Sequence, residues 1–499
     1  MLRLPGGRGI TRRAILGTSA AAAAAAVGGG LLAGCSGQAA SKGSSAAANG
    51  PLPAPQSGVT HILFQAPPGP PWNKTTIALS QEFTDQSFNQ NPKNKGIWAT
   101  VSPGGWGGGG TQIAADIAGS GFTDIWAMCC NDIPLLEASG FAQPLDPLLR
   151  RDNISQDNWS KGHILANSYA GQLYGLPSYD GTLVVIYRQD VLDRLGLAYP
   201  DPNWDYKAAA QIFEQCVGKN AKGQKRAGAS LYWNGAYEMI DWWLRGWGAR
   251  EMSDDQTKAT MATPAGAECL TWSTDLFASG AAVNRGDVGL LASEQAVFLQ
   301  RHAGVLEAAT TLGDSVKWNI LPNPIWPKGR TTFVTIDCYM LNQVSKDTNA
   351  AWEVLKWLAL GTQQGDGTWD NGWAKFQIQI SLITPALVNL WDYWIQTVKT
   401  VAPPLKNKDL KWYADSAQKG YCYPTIFYKY QAVQATNVVN NWCQQIFTKK
   451  VSPEIGLQQM QDQLNAMESA GAQELTAGAS AEKLFPTTGP RMAGVQPGL

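Results

Sequence analysis

Short apolar runs alternate with segments of helical periodicity along most of the chain, and turn-forming residues separate them. A short apolar run between turn signals is typical of a buried strand. The predicted strands comprise residues 62–64, 96–101, 123–128 and 183–187. Because predicted helices lie between these strands, the pattern favours an α/β body with mainly parallel sheets.

The helical segments carry start and stop signals. Three of them are predicted at residues 72–87, 133–138 and 189–195. Gly196 is the expected stop of the third, and Asp347 or Thr348 is expected to cap a later helix that ends at Gly361. The last predicted helix follows Ser452 as its N-cap. Its inner face is predicted to comprise Ile455, Met460, Leu464 and Met467.

The N-terminal segment has the pattern of an export signal. Arg12 and Arg13 precede an apolar run over residues 20–32, and the arginine pair is typical of the twin-arginine route. The tetrapeptide Leu-Ala-Gly-Cys that ends at Cys35 resembles a bacterial lipobox. A transmembrane anchor is the alternative, but the run is mostly Ala and Gly and shorter than about 20 strongly apolar residues. We therefore expect residues 1–34 to be removed and Cys35 to carry a lipid on the outer face of the cell membrane.

Residues 36–57 are rich in Ala, Ser, Gly and Pro. Such a composition buries little apolar surface and predicts a flexible tether. Residues 35–58 are accordingly expected to form a lipid-anchored linker. Residues 476–499 are expected to be a tail.

Charge and histidine content exclude several classes of protein. Lys and Arg total 39, as do Asp and Glu, so the formal net charge is zero. A neutral chain lacks the basic surface typical of nucleic-acid binding. The chain has three His residues, none within a helical turn of another, which excludes an HExxH-type zinc site. We expect no catalytic residue, no metal, no cofactor and no nucleic acid.

Aromatic residues are abundant, with 21 Trp, 15 Tyr and 13 Phe. This number exceeds what a packed core is expected to need, and it points to aromatic surfaces that bind ligand. For any single Trp, packing remains the default interpretation, and Trp242, Trp243 and Trp247 on one predicted helix are expected to lie in the core.

Cysteine pairing stays open at the level of sequence. Seven cysteines remain beside Cys35, and an odd number outside the cytoplasm leaves at least one thiol unpaired or paired between chains. They are Cys129, Cys130, Cys216, Cys269, Cys338, Cys422 and Cys443. Cys422 with Cys443, and Cys216 with Cys269, are the candidate disulfides. The alternative is that these residues are small buried hydrophobes.

Several segments in a fixed order resemble one family of proteins. The most characteristic is Gly-Gln-Leu-Tyr-Gly-Leu-Pro at residues 171–177. The matching segments are residues 119–126, 135–148, 171–177, 186–192, 293–297, 320–324 and 349–353. Together they resemble the extracellular solute-binding proteins of ABC importers, the maltose-binding-protein-like family 1. The resemblance covers about residues 59 to 475.

The sequence departs from the family pattern at three places. Arg188 stands where the family usually has Asn, and Gln295 stands for a usual Gly or Lys. Residues 303–305 read Ala-Gly-Val in place of Gly-Xaa-Trp, so one common sugar-stacking Trp is missing. These changes bear on the identity of the ligand rather than on the fold.

The resemblance implies a type II periplasmic-binding-protein-like fold, in which two α/β lobes enclose a hinged interlobe cleft. The hinge is expected near residues 177–181, with returns near 324–330 and 381–385. The N-terminal lobe is expected to comprise residues 59–177 plus 328–383. The C-terminal lobe is expected to comprise residues 178–327 plus 384–475.

Ligands of open α/β sheets bind outside the carboxyl ends of the strands. A sugar needs flat aromatic rings for its apolar faces and polar side chains for its hydroxyl groups. The candidate ligand-binding residues at predicted strand ends and crossovers are Trp72, Asn73, Trp126, Asn131, Asp132, Tyr179, Asp180, Trp233 and Asp337. Asp337 is the strongest acidic candidate, because an acid within an apolar strand needs a partner.

The resemblance implies a monomeric lipoprotein that binds a carbohydrate, with an oligosaccharide favoured, and delivers it to the permease subunits of an ABC transporter. An exported glycoside hydrolase is an alternative, since it would share a Trp-rich cleft and paired carboxylates. A structural or receptor-like surface lipoprotein is another. Within the family, a polyol, a peptide or a polyamine is the alternative ligand.

Overall fold

The computed structural model describes the body of the chain with short gaps. The described residues are 2–3, 9–10, 58–66, 74–103, 123–129, 133–138, 140–232, 236–253, 257–284, 286–302, 305–418, 422–424 and 432–476. Five predicted ligand residues and the predicted lipidation site lie outside them, namely Trp72, Asn73, Asn131, Asp132, Trp233 and Cys35.

An eleven-stranded sheet forms the centre of the molecule. Its strands are β1 (Thr60–Ala66), β2 (Ile97–Pro103), β3 (Ile125–Cys129), β4 (Gly175–Arg188), β5 (Gly218–Lys219), β6 (Lys225–Leu231), β7 (Ala282–Asn284), β8 (Ala296–His302), β9 (Trp318–Leu321), β10 (Thr332–Leu341) and β11 (Cys422–Pro424). Two-residue strands pair separately at Leu2–Arg3 with Gly9–Ile10, Ser168–Tyr169 with Gln172–Leu173, and Ile325–Trp326 with Gly329–Arg330.

Helices cover both faces of this sheet. They are α1 (Lys74–Thr84), α2 (Ile133–Ala138), α3 (Asp146–Arg151), α4 (Lys161–Ala166), α5 (Gln189–Leu195), α6 (Tyr206–Gln215), α7 (Ala236–Trp247), α8 (Pro264–Ser279), α9 (Val288–Ala292), α10 (Val305–Leu312), α11 (Thr348–Leu360), α12 (Gly372–Ser381), α13 (Trp391–Val401), α14 (Lys411–Gln418), α15 (Ala432–Phe447) and α16 (Pro453–Thr476). A π-helical turn, Asp85–Asn89, extends α1. Among the described residues, no helix combines the length and apolar character that crossing a membrane requires.

The sheet is mixed, so the expectation of mainly parallel sheets was wrong for its centre. The strand order is β7-β6-β8-β4-β10-β3-β1-β2, with β5, β9 and β11 paired beside it. The strands on each side of the centre are parallel. In the first flank β1 lies between β2 and β3, and in the second flank β6 lies between β7 and β8. The long strand β4 lies between the two flanks and runs antiparallel to β8 on one side and to β10 on the other.

Most predicted elements are present at their predicted positions. Strands β1, β2 and β3 overlap the predicted runs, and α5 spans the predicted residues. Gly196 ends α5 with a φ of 66°, a conformation that glycine adopts without steric cost. Asp347 caps α11 by accepting a hydrogen bond from the Ala350 amide, and Gly361 follows the helix.

The prediction for the last helix was wrong at one position. Ile455 is 58% exposed, whereas Leu457, Met460 and Leu464 are fully buried. Ile455 lies two residues before Leu457, which places it about 200° away around the helix axis. The buried stripe of α16 therefore starts at Leu457.

Tryptophan mainly builds the interior of this protein. At least thirteen of the 21 Trp residues are buried, in agreement with packing as the default interpretation of a single Trp. The prediction for Trp242, Trp243 and Trp247 is confirmed. Trp243 packs with Trp242, Trp272 and Trp326 at ring-centroid distances of 4.5, 5.5 and 4.7 Å.

The cysteines whose side chains are described act as small buried hydrophobes. Cys338 is buried, and Cys216, Cys269 and Cys443 are buried and free, so both candidate disulfides were wrong. Burial raises the pKa of Cys216 to about 12 and keeps its thiol protonated. The side chains of Cys129, Cys130 and Cys422 lie outside the described set.

Arg188, one departure from the family pattern, has a structural role at the end of β4. Its guanidinium binds both carboxylate oxygens of Asp190 at 2.7 Å and Glu294 Oε1 at 3.2 Å. It also donates to the Leu291 carbonyl oxygen at 2.7 Å. Arg194 binds the outer side of the same two carboxylates. These contacts occupy the Arg188 side chain within the fold.

We expect Arg188→Met to lower the free energy of unfolding at pH 7 by about 2–3 kcal/mol, because it leaves two partly buried carboxylates without their main partner. Burial disfavours the charged form of Asp190, but the hydrogen bonds and charge of Arg188 outweigh it and lower the pKa of Asp190. This stabilisation is complete above the unfolded pKa near 4 and is lost as pH falls through the folded pKa. Urea unfolding at pH 7 and pH 3 should therefore show a smaller difference from wild type at pH 3.

Arg194→Met is the matched control, since the Arg194 side chain is 52% exposed and should cost less than about 1 kcal/mol. A difference between Arg188→Met and wild type that does not change with pH would contradict the assigned role of Asp190.

Candidate functional site

The carboxyl ends of strands from the two flanks approach each other along β4. In the first flank, β3 ends at Cys129, which pairs with Asp337 of β10, and Asp337 pairs with Tyr179 of β4. In the second flank, β8 ends at His302, which pairs with Leu183 of β4. The strands of the two flanks therefore end only four residues apart on the same central strand.

Strand directions make these ends face each other. β3 and β4 are each antiparallel to β10, so β3 runs in the same direction as β4. β8 is antiparallel to β4 and runs toward β3. Four residues of extended strand span about 13 Å. We call the space over residues 179–183, between the two sets of strand ends, the central gap.

The central gap has the position of a ligand site in open α/β sheets, outside the carboxyl ends of strands. Three predicted sets of ligand residues follow strands that end there: Trp72 and Asn73 follow β1, Asn131 and Asp132 follow β3, and Trp233 follows β6. Their own positions lie outside the described residues, so their roles stay predictions.

Trp126 lies in the interior. Its side chain is 2% exposed and belongs to a core cluster with Ile133, Leu136 and Met340. In this conformation the indole ring packs on the protein, and its role toward a ligand stays a prediction.

Asp180 has no exposed surface and is part of a buried network. Thr182 Oγ1 lies 2.7 and 2.6 Å from its two carboxylate oxygens, and His163 Nε2 lies 3.5 Å from Oδ1. The Asp180 amide donates to the Thr384 carbonyl oxygen, and Thr384 Oγ1 donates to the Asp180 carbonyl oxygen. His163 Nδ1 lies 3.0 Å from the Ala386 carbonyl oxygen.

These contacts, which we call the Asp180 network, join the first crossing strand β4 to the segment that follows α12. The network thus fixes the floor of the central gap in the described conformation. A direct contact between the Asp180 carboxylate and a ligand stays a prediction.

Tyr179 and Asp337 lie at the first edge of the central gap. Tyr179 is half-buried and Asp337 is 1% exposed. Ser178 Oγ donates to the Asp337 carbonyl oxygen at 2.8 Å. A pocket opens beside these residues, between the sheet and helices α11 and α12. It is lined by Ala127, Ser178, Tyr179, Asp337, Tyr339, Leu358, Ala359, Ala374, Gln377, Ile378, Ile383 and Pro385.

Sequence reasoning missed the polar network at the second edge of the gap. Gln300 Oε1 accepts from the Tyr232 amide at 3.3 Å, and Gln300 Nε2 donates to Asn323 Oδ1 at 3.0 Å. Asn323 Nδ2 and Thr332 Oγ1 both donate to the Leu183 carbonyl oxygen, at 3.0 and 2.6 Å. The available signal was Gln300, a polar residue within the apolar run of β8. This network fixes the ends of β6 and β8 against β4.

No cluster of three or more His, Cys, Asp or Glu side chains within the described ranges could hold a metal ion. Tyr179 and Asp337 supply an aromatic ring and a carboxylate at the first edge of the gap, whereas Gln300, Asn323 and Thr332 at the second edge bond within the fold. The first edge can therefore bind a polar solute.

Comparison with known proteins places these features in context. A family model described as bacterial extracellular solute-binding protein matches residues 72–365. A binding protein of Brucella abortus (strain 2308) is 24% identical over 229 residues, which cover 44% of this chain and 54% of that protein. The match therefore spans about half the length of this curated relative.

Two solved structures share the fold over nearly their whole length. The sugar-binding protein MalE from Xanthomonas citri has a TM-score of 0.66 at 16% identity and covers 84% of this chain and 99% of its own. The cyclic alpha-maltosyl-1,6-maltose binding protein from Arthrobacter globiformis has a TM-score of 0.64 at 16% identity, covering 83% and 100%. The type II periplasmic-binding-protein-like fold is thereby confirmed.

Proposed function

Because the chain belongs to the bacterial extracellular solute-binding protein family, we propose that it is the binding component of an ABC importer. It captures a carbohydrate, with an oligosaccharide favoured, in the central gap and delivers it to the permease subunits of the transporter. The observation that carries this proposal is the convergence of strand carboxyl ends from both flanks on residues 179–183 of β4.

A ligand in the central gap would touch both flanks and favour their closure, as in other hinge motions around ligands. The two lobes are proposed at 59–177 plus 328–383 and at 178–327 plus 384–475. The hinge lies where β4, β10 and the segment around Pro385 run side by side, and Tyr179 bridges to Pro385 there.

Three considerations support a carbohydrate as the ligand. The two similar solved structures are a sugar-binding protein and a cyclic alpha-maltosyl-1,6-maltose binding protein. The gap is about 13 Å wide along β4, which accommodates sugar rings. Tyr179 and Asp337 supply an aromatic ring and a carboxylate at one edge, the group types that a sugar face and its hydroxyls require.

The protein acts as a monomer without catalytic residues or a cofactor, because capture and release require two conformations rather than bond cleavage. It is exported through the twin-arginine signal at Arg12 and Arg13, and a lipid on Cys35 anchors it to the outer face of the cell membrane. Residues 35–58 tether the body to that anchor.

Tyr179→Ala should weaken saccharide binding by at least about tenfold, because removing an aromatic anchor from a closed site typically costs more than 1 kcal/mol. Stability should change little, since the ring is half-buried. Calorimetric titration measures the affinity. Tyr199→Ala is the matched control, because Tyr199 is 38% exposed and bonds to Asp193 and Lys317 rather than lying at the gap. Equal affinities for the two variants would contradict a ligand on Tyr179.

The proposed function is tested by thermal unfolding of the purified protein with a panel of saccharides, polyols, amino acids and peptides. A ligand at 100 times its dissociation constant adds about 2.7 kcal/mol, which gives a clear rise in midpoint. Selective stabilisation by one saccharide class, with that saccharide recovered intact, supports the proposal. Stabilisation by a peptide or polyamine alone moves the ligand to another class, and recovery of a cleaved saccharide favours the glycoside hydrolase.

A further inference from the structure

Gln377 on α12 has a buried amide nitrogen. The residue is 5% exposed, and its Nε2 atom makes no hydrogen bond to any described residue. A buried amide that lacks a partner costs about 1–3 kcal/mol. Such groups are rare in folded proteins and call for an explanation, which a ligand supplies.

The amide lines the pocket beside the central gap, which we call the α12 pocket. Apolar side chains form one wall, from Leu358 and Ala359 on α11 and Ile378 on α12. Polar groups come from Ser178, Tyr179, Asp337, Tyr339 and Gln377, and Ala127, Ala374, Ile383 and Pro385 complete the lining. Since Tyr179 and Asp337 also mark the first edge of the central gap, the pocket adjoins the proposed ligand site.

The polar groups of the α12 pocket match a neutral hydroxylated ligand. Asp337 supplies carboxylate oxygens that accept hydrogen bonds and disfavour an anion. Tyr339 Oη accepts from Trp373 Nε1 at 2.8 Å. Burial raises the pKa of Tyr339, so the phenol keeps its proton as a donor. An alcohol group both donates and accepts, so it can accept a hydrogen bond from the Gln377 amide and donate one to a carboxylate.

We propose that the α12 pocket, with an open volume of about 20 Å³, receives a single hydroxyl group of the carbohydrate, and that Gln377 is a specificity-determining residue that donates Nε2–H to that hydroxyl oxygen. This inference rests on the proposed function and adds a subsite to it. The Asp337 carboxylate disfavours a sugar acid at this position.

The test compares two glutamines on one helix. Gln377→Leu replaces the unpartnered amide with an apolar group of similar size. Gln379→Leu is the matched control, because Gln379 Nε2 donates to Tyr393 Oη at 2.6 Å and does not line the pocket. Arabinotriose, maltotetraose and mannotriose serve as probes. The probe that raises the wild-type melting midpoint most is then titrated calorimetrically into each variant.

We expect Gln377→Leu to bind that probe about tenfold more weakly, as when one hydrogen bond to a ligand is lost, while its melting midpoint without ligand stays equal to or above the wild-type value. Gln379→Leu should melt earlier and keep wild-type affinity. Gln377→Met, which fills a similar volume and removes the donor, should also bind more weakly and serves if Gln377→Leu does not fold.

Wild-type affinity in both Gln377 variants would overturn the inference while leaving the proposed function intact. A wild-type protein that binds none of the three probes nor any other saccharide would contradict the proposed function itself, and the ligand class assigned to the α12 pocket with it.

Discussion

Asp180→Ala should lower the free energy of unfolding by about 3–5 kcal/mol, because removing one member of a buried polar network leaves the others unsatisfied. Thr182 Oγ1 would lose both carboxylate contacts, and His163 Nε2 would lose the acidic group 3.5 Å away. Both side chains are fully buried, so water does not replace the lost partner. Urea unfolding monitored by tryptophan fluorescence measures the change.

Two further variants sharpen this expectation. Asp201→Ala is the surface control, because Asp201 is exposed and its carboxylate bonds to the Asn203 amide nearby. Its cost should stay below about 1–2 kcal/mol. Asp180→Asn keeps the shape and one acceptor oxygen, and it should fall between wild type and Asp180→Ala. If Asp180→Ala lowers the free energy of unfolding no more than the surface control does, the network does not join the crossing segments.

Trp243→Ala is expected to lower the free energy of unfolding by about 3–5 kcal/mol, since truncating a buried tryptophan removes apolar burial and leaves a cavity in the core. Trp243 has no exposed surface and contacts three other tryptophans, Trp242, Trp272 and Trp326. Their rings belong to α7, α8 and the hairpin that contains Ile325–Trp326. The substitution therefore loosens the second flank at the contact between three elements.

Trp442→Ala provides the comparison for a partly exposed ring. Trp442 packs at the periphery of the second core cluster and donates its indole N–H to Gln463 at 3.2 Å. Trp442→Ala should lower the free energy of unfolding by about 1–2 kcal/mol. Both variants are measured by urea unfolding at pH 7, where equal costs would contradict the assignment of the Trp243 cluster to the core.

The elements that the sequence predicted well are those defined by local patterns. Strands β1, β2 and β3 follow from short apolar runs between turn residues, and α5 follows from its periodicity and the stop at Gly196. The first half of β4 was missed as a strand, because residues 175–182 include Pro177, Ser178 and Asp180 and form no apolar run. Its extended conformation depends on pairing with β10, more than 150 residues later in the chain.

The candidate site was predictable in location more than in detail. Strand ends identify the region, because ligands of α/β sheets bind outside carboxyl ends. Which face a side chain occupies follows from pairing partners that the sequence does not show. Trp126 and Asp180 point into the protein because α2 and the His163–Thr384 contacts cover those faces. Gln377 carries no local signal that separates it from a surface glutamine, whereas Gln300 is distinguished by its place within the apolar run of β8.

The central claim is that one carbohydrate occupies the central gap and touches both flanks. Hydrogen–deuterium exchange of the purified protein, with and without the saccharide selected by thermal unfolding, locates the contact directly. The account predicts slower exchange on both sides of the gap, in peptides that end at Cys129 and at His302, and over residues 179–183 of β4. Slower exchange confined to one flank, or to a surface away from β4, would contradict it.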